Sequence, residues 1–504
     1  MEEAQDWSSD AKQAVTLSLV QPGQHQPHPI ATFHPKFAYP IFGEAESIFG
    51  YEGLDIDLRF ASHDLRPSLD VSWKRKYQST GETSATDVKA ILQEWLPAAA
   101  FEPRSEFNAI VQSNEAPEHA NPKNFTPPGQ RLTTYTIRDK TYEIWQGSLT
   151  DDAVQEIFQR LQIFTPLFIE GGTYIDLNDP EWSLQRWRVF FLYEKLATPP
   201  TSFASPYSIV GYSTVYRYYL YTPPTPPTSP LPANASSAIS KPSTVHSFSL
   251  PLSPVPPSSL PSRERISQFL ILHPYQKGGH GRAFYNALVT HFLTDATVHE
   301  ITVEDPNEAF DDLRDICDLI RLRTNPTFTS VCINSAASVP RKGRFPTGDI
   351  LPKKNLTALR KATKIAPRQF DRLVEMQLLS LFPSTIRTAS RSARRTGTVG
   401  SKEREYYLWR MVVKQRLYKF NRDQLVQLER LERLDKLEEA LGAVEHSYLT
   451  LLTAADKAAQ AQESHAASGA ARKDARKKLV IEDEDDDEEV SEEPAAKRMK
   501  TSES

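Results

Sequence analysis

The sequence predicts an α+β protein. Strands with flanking helices form its centre, a small α/β domain precedes them and a helical domain follows. Three observations carry this. Between Arg265 and Asp305 the order is apolar strand, glycine loop, helix pattern, strand, acid. Between Thr32 and Ile169 short strand-like runs alternate with turns around one helix pattern, Thr86–Trp95. Leu425, Leu428, Leu431, Leu434, Leu437, Leu441 and Val444 recur at intervals of three or four, the spacing of a packed helix face.

A chain of 504 residues is too long for one core. The composition divides it into a disordered arm (1–24), an N-terminal α/β domain (25–169), a central domain (170–325), a helical domain (326–465) and a charged, disordered tail (466–504). The central domain is interrupted over residues 222–262. Twelve prolines fall within Thr222–Pro261, too many for a sheet ladder or a core, so this segment reads as a surface insert. Helix patterns follow at Pro367–Phe382 and from about Glu405, with a basic linker, Ser384–Arg404, between them. The leucine stripe suits packing within the chain.

The acidic N-terminus has no signal-peptide pattern, and no apolar run reaches membrane-spanning length, so no membrane role is expected. Two cysteines, Cys317 and Cys332, exclude a disulfide framework or a structural zinc site and read as buried small apolar residues. The net charge of −5 gives no reason to expect direct nucleic-acid binding. It conceals an acidic run at Glu482–Glu489 and a basic word at Pro494–Lys500 of the kind that directs nuclear import.

The loop Gln276-Lys277-Gly278-Gly279-His280-Gly281-Arg282 carries the chemistry. Glycines let the backbone turn so that successive N–H groups converge, and the helix that follows adds its positive end. Lys277 and Arg282 add charge. No Gly-Lys-Ser/Thr follows, so this is not a Walker loop, and the spacing differs from a dinucleotide fingerprint. Taken alone, the loop reads equally well as a plain glycine-rich turn. Glu304 and Asp305 end the next strand, where a carboxylate suits a general base beside a pyrophosphate-bearing cofactor. Partial burial and neighbouring acids would raise the pKa of such a base. Asp305-Pro306-Asn307-Glu308 also reads as a helix start capped by Asp305, and for Asp305 that role outweighs proton transfer.

Gln-x-x-Gly-x-Gly between a strand and a helix resembles the acetyl-CoA loop of the GNAT N-acetyltransferases. RISQFLI, YQKGGHG and ITVEDPNEAFDDLRD, with Phe33–Leu54, Phe168–Trp182 and Tyr207–Tyr221, resemble the type B histone acetyltransferase catalytic subunits. The resemblance spans about Phe33 to Arg321. It implies a GNAT core with a mixed twisted sheet, acetyl-CoA as cosubstrate and no metal. It implies Glu304 as the base, with Glu170 and Asp305 nearby. A bulge along Phe269, Leu270 and Ile271 would free backbone donors for the thioester. Gln276, Lys277, Gly278, Gly279, His280, Gly281, Arg282 and Asn307 would hold the cofactor; at Ile316 the family can carry an Arg near the phosphates. Glu44, Ala45, Glu46, Trp182, Tyr216, Arg217 and Tyr218 would meet a basic tail and its lysine.

The function expected is acetylation of lysines on the N-terminal tail of free, newly made histone H4 by direct attack. A WD-repeat β-propeller histone chaperone would be the partner, in nucleus and cytoplasm, with links to chromatin assembly and repair. The alternatives are a GNAT acting on another basic protein, or a histone-binding chaperone subunit with a degenerate core. Intact Gln276, Gly279, Gly281 and Glu304 weigh against degeneracy.

Overall fold

The computed structural model describes residues 7–22, 27–79, 81, 83–112, 121–199, 201–202, 204–220, 259–340, 346–351, 353–387 and 400–485. Nearly all of the proline-rich insert, the basic word at Pro494–Lys500 and the acidic run beyond Asp485 lie outside these residues. The chain forms two compact units. One comprises Met1–Cys317 with Pro352–Leu373, the other Asp318–Leu351 with Val374–Ser504.

The first unit is mixed α+β. Its strands are β1 (Ser8–Asp10), β2 (Val15–Gln21), β3 (His28–Phe33), β4 (Ser47–Phe49), β5 (Tyr51–Glu52), β6 (Asp55–Ala61), β7 (Pro67–Ser72) and β8 (Arg75–Lys76). They continue with β9 (Gln130–Ile137), β10 (Lys140–Ser148), β11 (Trp187–Lys195), β12 (Tyr207–Tyr219), β13 (Ser262–Ile271) and β14 (Val298–Val303). A four-stranded sheet has the order β3-β2-β6-β7, and a six-stranded sheet the order β14-β13-β12-β11-β10-β9. Within the larger sheet β13 and β14 alone are parallel.

Two expectations change here. Residues 8–21 are not an arm: Val15, Leu17, Leu19 and Val20 are buried, and β2 lies between β3 and β6. The strand alternation of Val15-Thr16-Leu17-Ser18-Leu19 outweighs the acidic residues before it. In addition, β9 and β10 belong to the same sheet as β11–β14, so the sheet crosses the division expected at residue 169.

Both faces of the six-stranded sheet are covered. Phe190, Val215, Ile266 and Ile301 pack with Phe284, Leu288 and Phe292 of the helix α2 (His280–Thr294) and Cys317 of α3 (Glu308–Arg323). On the other face, Phe191, Tyr193 and Leu270 share a core with α1 (Asp152–Leu161) and the smaller sheet. Cys317 is buried as expected, but Cys332 is exposed.

An ion-pair network ties β11, β12 and β13 to the end of α2. Glu264, fully buried on β13, accepts from Arg188 at 2.6 Å and Arg217 at 2.5 Å. Arg217 also donates to Asp295 at 2.6 Å. Burial opposes ionisation of Asp295, yet Thr297 and Arg217 hold its carboxyl well below the usual range. Lys364 closes the C-terminal end of α2 by donating to the carbonyls of Phe292, Leu293 and Asp295 at 2.9, 3.1 and 2.6 Å. A cation there satisfies orphan carbonyls and opposes the negative end of the helix.

The second unit is helical. It includes the C-terminal part of α4 (Pro367–Ser380), with α5 (Ser401–Phe420) and α6 (Arg430–Asp485). Tyr406 donates to Glu445 at 2.9 Å, and Arg416 and Tyr448 both reach the buried Glu375. The helix pattern begins at Ser401, inside the expected linker, and α6 runs past Ala466, where the tail was expected to begin. The leucine stripe divides: Leu425 and Leu441 are buried, whereas Leu431 and Leu434 are exposed. The helix is broken between Phe420 and Arg430, so the stripe does not follow one continuous face.

Glu264→Ala removes the shared partner of two largely buried guanidinium groups. Losing one side of a buried ion pair costs about 3–5 kcal/mol. The variant's unfolding free energy should fall by that amount, with the denaturant midpoint moving down accordingly; an unchanged midpoint would show that the network does not hold these strands together.

Candidate active site

The parallel pairing of β13 and β14 stops early. Its last register pair is Ile266↔Val303, followed by one hydrogen bond from Glu304 N–H to the Ile266 carbonyl at 2.9 Å. On the other side of β13 the register against β12 shifts at Ser267, because Gln268 faces Thr214 while Ile266 faces Val215. Ser267 is therefore an extra residue, a bulge that re-aims the strand. It lies two residues before Phe269, earlier than expected.

Beyond the bulge, Gln268 gives its N–H to the Thr214 hydroxyl and Leu272 gives its N–H to the Val210 carbonyl. The two-residue repeat of a strand then turns the N–H groups of Phe269 and Ile271 away from β12, toward an edge where no strand among the described residues pairs. Close approach of β12 is part of this arrangement: a Cβ on Gly211 would lie 2.4 Å from the Leu270 carbonyl oxygen.

The gap opens into a cleft of about 830 Å³. Its lining includes Phe269, Leu270 and Ile271 on one side and Glu304, Asp305 and Asn307 on the other. Ser267 Oγ is buried at this lining without a hydrogen-bond partner among the described residues. Gln276, Lys277 and Gly281 line the loop end. Gln276 donates its amide to the Ile271 carbonyl at 2.9 Å, anchoring the loop to the strand end and using the acceptor that Ile271 turns to the open edge.

The loop then passes through left-handed backbone at Lys277 (φ 59°) and Gly279 (φ 92°). Gly279 is the N-cap of α2, and among the described residues no side chain caps that end. The first N–H returned within the helix is that of Ala283, to the Gly279 carbonyl at 3.1 Å, so the preceding N–H groups are available to an anion. Exposed Lys277 and half-buried Arg282 supply charge nearby. Gly281 leaves the cradle open, and a Cβ there would make only ordinary contact with Leu313 at 3.5 Å. Gly278 and Gly279 shape the loop without lining the cleft.

His280 has another place. It is buried beside Tyr142, with ring centroids 4.5 Å apart, and shares a 3.1 Å hydrogen bond with the Tyr135 hydroxyl. Burial lowers its pKa. It anchors α2 against β9 and β10 and does not reach the cleft.

Among the acids, Glu304 lines the cleft at the end of β14, partly exposed, with Arg265 Nη2 3.1 Å from Oε1. A cation, not the expected acid, is its contact. Asp305 is exposed with φ 33° and does not cap the helix. Asn307 does: its side-chain oxygen accepts from Phe310 N–H at 2.9 Å, and α3 begins at Glu308. The helix start is two residues later because Asp305 is in left-handed backbone and cannot adopt the cap geometry. Glu170 is exposed beside Ile169, which lines the cleft. Ile316 is half-buried within α3.

The residues expected to meet a basic tail separate into two groups. Glu44 and Ala45 are exposed. Glu46 is engaged: it pairs with Lys12, which is the main reason its carboxyl lies below the usual range, and accepts from the N–H groups of Ala38 and Tyr39 at 2.8 and 3.2 Å. Arg217 is likewise held by Glu264 and Asp295 on the opposite face of β12 from Tyr216 and Tyr218. The aromatic residues form a continuous strip. Tyr216 contacts Trp187 and Tyr218, with centroids 4.8 and 4.7 Å apart, and Arg265 lies 4.8 Å over the Tyr218 ring. Trp182, 60% exposed, carries Arg186 5.0 Å above its ring.

Sequence reasoning passed over Arg265, Ser267 and Lys36, which lines the cleft from the loop after β3. Arg265 begins the RISQFLI word and stands in register with Tyr216 and Thr302, so a period-two step along β14 from Thr302 places it on the face of Glu304.

This architecture can be set against known proteins. The family described as histone acetyl transferase HAT1 N-terminus matches residues 7–170, and that described as fungal HAT1, C-terminal matches residues 315–382. A histone acetyltransferase type B catalytic subunit of Aspergillus oryzae is 42% identical, with 91% of this chain and 88% of that protein aligned. The subunit of the same name from Neurospora crassa is 37% identical over 90% and 89%, and that from Candida albicans 32% identical over 89% and 90%. Similarity at this level across nearly the whole length means that the chain belongs to the histone acetyltransferase type B catalytic subunits, and so is an acetyltransferase.

Proposed function

We propose that this chain has a GNAT core and transfers acetyl groups from acetyl-CoA to lysines on the N-terminal tail of free, newly made histone H4, with Glu304 as general base. The observation that carries this reading is the parting of β13 and β14: an edge with unpaired N–H groups faces a carboxylate across an apolar cleft. The residues fit the cofactor. The Phe269 and Ile271 N–H groups suit the pantetheine and acetyl carbonyls, and the open end of α2 with Lys277 and Gly281 suits the pyrophosphate.

Acetyl-CoA supplies the acyl group as an activated thioester. The chain has two tasks. The first is to make the amine reactive, since a lysine ammonium with a pKa of about 10.4 cannot attack until it loses a proton. Glu304 Oε2, which has no partner among the described residues, is open to take that proton. The second is to stabilise negative charge on the acyl oxygen, which the open-edge N–H donors suit; such preorganised donors contribute about 3 kcal/mol to the transition state. Tyr216, Tyr218 and Trp187 offer a surface for the lysine stem near the same carboxylate. Direct attack is favoured because neither cysteine lines the cleft. A WD-repeat histone chaperone as partner, nuclear and cytoplasmic residence and a role in chromatin assembly complete the proposal, on the ground of family membership.

Two variants test it. Glu304→Gln should bind acetyl-CoA normally yet lose about 10²–10⁴-fold in turnover of an H4-tail peptide. Near-normal turnover would transfer the base to Asp305 or Glu170. At Gly281 an added Cβ makes only ordinary contacts, and Gly281→Glu adds negative charge to the cradle, so calorimetric titration should show acetyl-CoA affinity falling at least tenfold with little change in melting temperature. Wild-type affinity would mean that the end of α2 does not hold the phosphates. Gly279→Val is the poorer test, because at φ 92° a β-branched residue also strains the fold.

A further inference from the structure

Glu304 stands at a strand end, where a side chain on a partly exposed backbone has several rotamers open to it. One contact restricts it. Arg265, its neighbour across the β13/β14 pair, places Nη2 3.1 Å from Oε1. The guanidinium is itself restrained, lying 4.8 Å over the Tyr218 ring, and its Nε is buried without a hydrogen-bond partner among the described residues. Register fixes both backbones: Arg265 is opposite Tyr216 on β12 and Thr302 on β14, and Glu304 N–H is bonded to the carbonyl of the next residue, Ile266.

This pair needs an explanation other than stability. The side chains are 30% and 38% exposed, a setting in which ion pairs contribute little to folding. A cation beside the base also opposes the approach of a cationic lysine. We propose that Arg265 is a positioning residue: it holds Glu304 by Oε1 so that Oε2 faces the acceptor amine. A planar guanidinium stacked on Tyr218 suits this task better than a flexible ammonium, because the fork has a fixed direction. The inference rests on the reading of Glu304 as the base.

The test is a double-mutant cycle on the full-length chain, with acetyl-CoA and an H4-tail peptide. Arg265→Ala should lower kcat about tenfold to a hundredfold, the usual effect of a misplaced reacting group, while leaving the KM for acetyl-CoA close to wild type. Arg265→Lys should recover only part of the loss. Arg265→Ala combined with Glu304→Gln should be no slower than Glu304→Gln alone, since Arg265 acts through that carboxylate. Losses that multiply would overturn the proposal, because a structural or binding role acts whichever residue stands at 304. Wild-type turnover in Arg265→Ala would overturn it too. A failure of the underlying reading appears separately, as normal turnover in the Glu304→Gln single variant, and removes the premise before the cycle is closed. Melting temperatures of all four proteins, expected to lie close together, separate these outcomes from misfolding.

Discussion

The site depends on a parallel strand pair that does not continue. A ladder between β13 and β14 extended past Ile266 would use the N–H groups of Phe269 and Ile271 and close the cleft. Two features keep it open. The bulge at Ser267 reverses which groups face β14, and Asp305, in left-handed backbone, turns the chain away immediately after Glu304. Unpaired backbone donors are costly where water is excluded. Here they border a cleft, and leaving them unpaired is what makes the strand edge useful to a ligand with carbonyl oxygens.

The surrounding structure anchors the elements on either side of this gap. The crossover from β13 to β14 runs through α2, which is anchored at its start by His280 among Tyr135 and Tyr142 and at its end by Lys364. Across the sheet, Glu264 binds Arg188 and Arg217 on the face opposite Tyr216 and Tyr218. Charged residues of β12 and β13 thus divide by face. Those on one side, the largely buried Arg217 and the fully buried Glu264, are consumed in the fold. Arg265, on the other, is partly exposed and reaches Glu304, which lines the cleft.

Much of this could be read in the chain. The strand, loop, helix, strand and acid order from Arg265 to Asp305 corresponds to β13, α2, β14 and Glu304, because apolar periodicity and glycine placement are local properties. Family words also brought Trp182, Tyr216 and Tyr218 to notice. What could not be read depends on register and partners. Glu46 and Arg217 are ordinary charged residues in sequence, and only the positions of Lys12, Ala38, Glu264 and Asp295 remove them from a binding role. His280 stands within a cofactor-loop word yet faces a tyrosine pocket built by residues far earlier in the chain. The cap of α3 moved from Asp305 to Asn307 because the backbone angle at Asp305 is set by the turn out of β14 and not by its own preference. Residues 8–21 were obscured by composition, although the alternation of Val15, Leu17 and Leu19 was present.

The central claim is that the edge of β13 beyond the bulge serves as the cofactor's hydrogen-bond platform. Amide hydrogen exchange over Ser267–Leu272, with and without acetyl-CoA, tests it most directly. The account predicts that the Phe269 and Ile271 amides exchange readily in the free protein and become protected when acetyl-CoA binds, while Leu272, already bonded to Val210, changes little. Binding of acetyl-CoA with no added protection at Phe269 and Ile271 would contradict it.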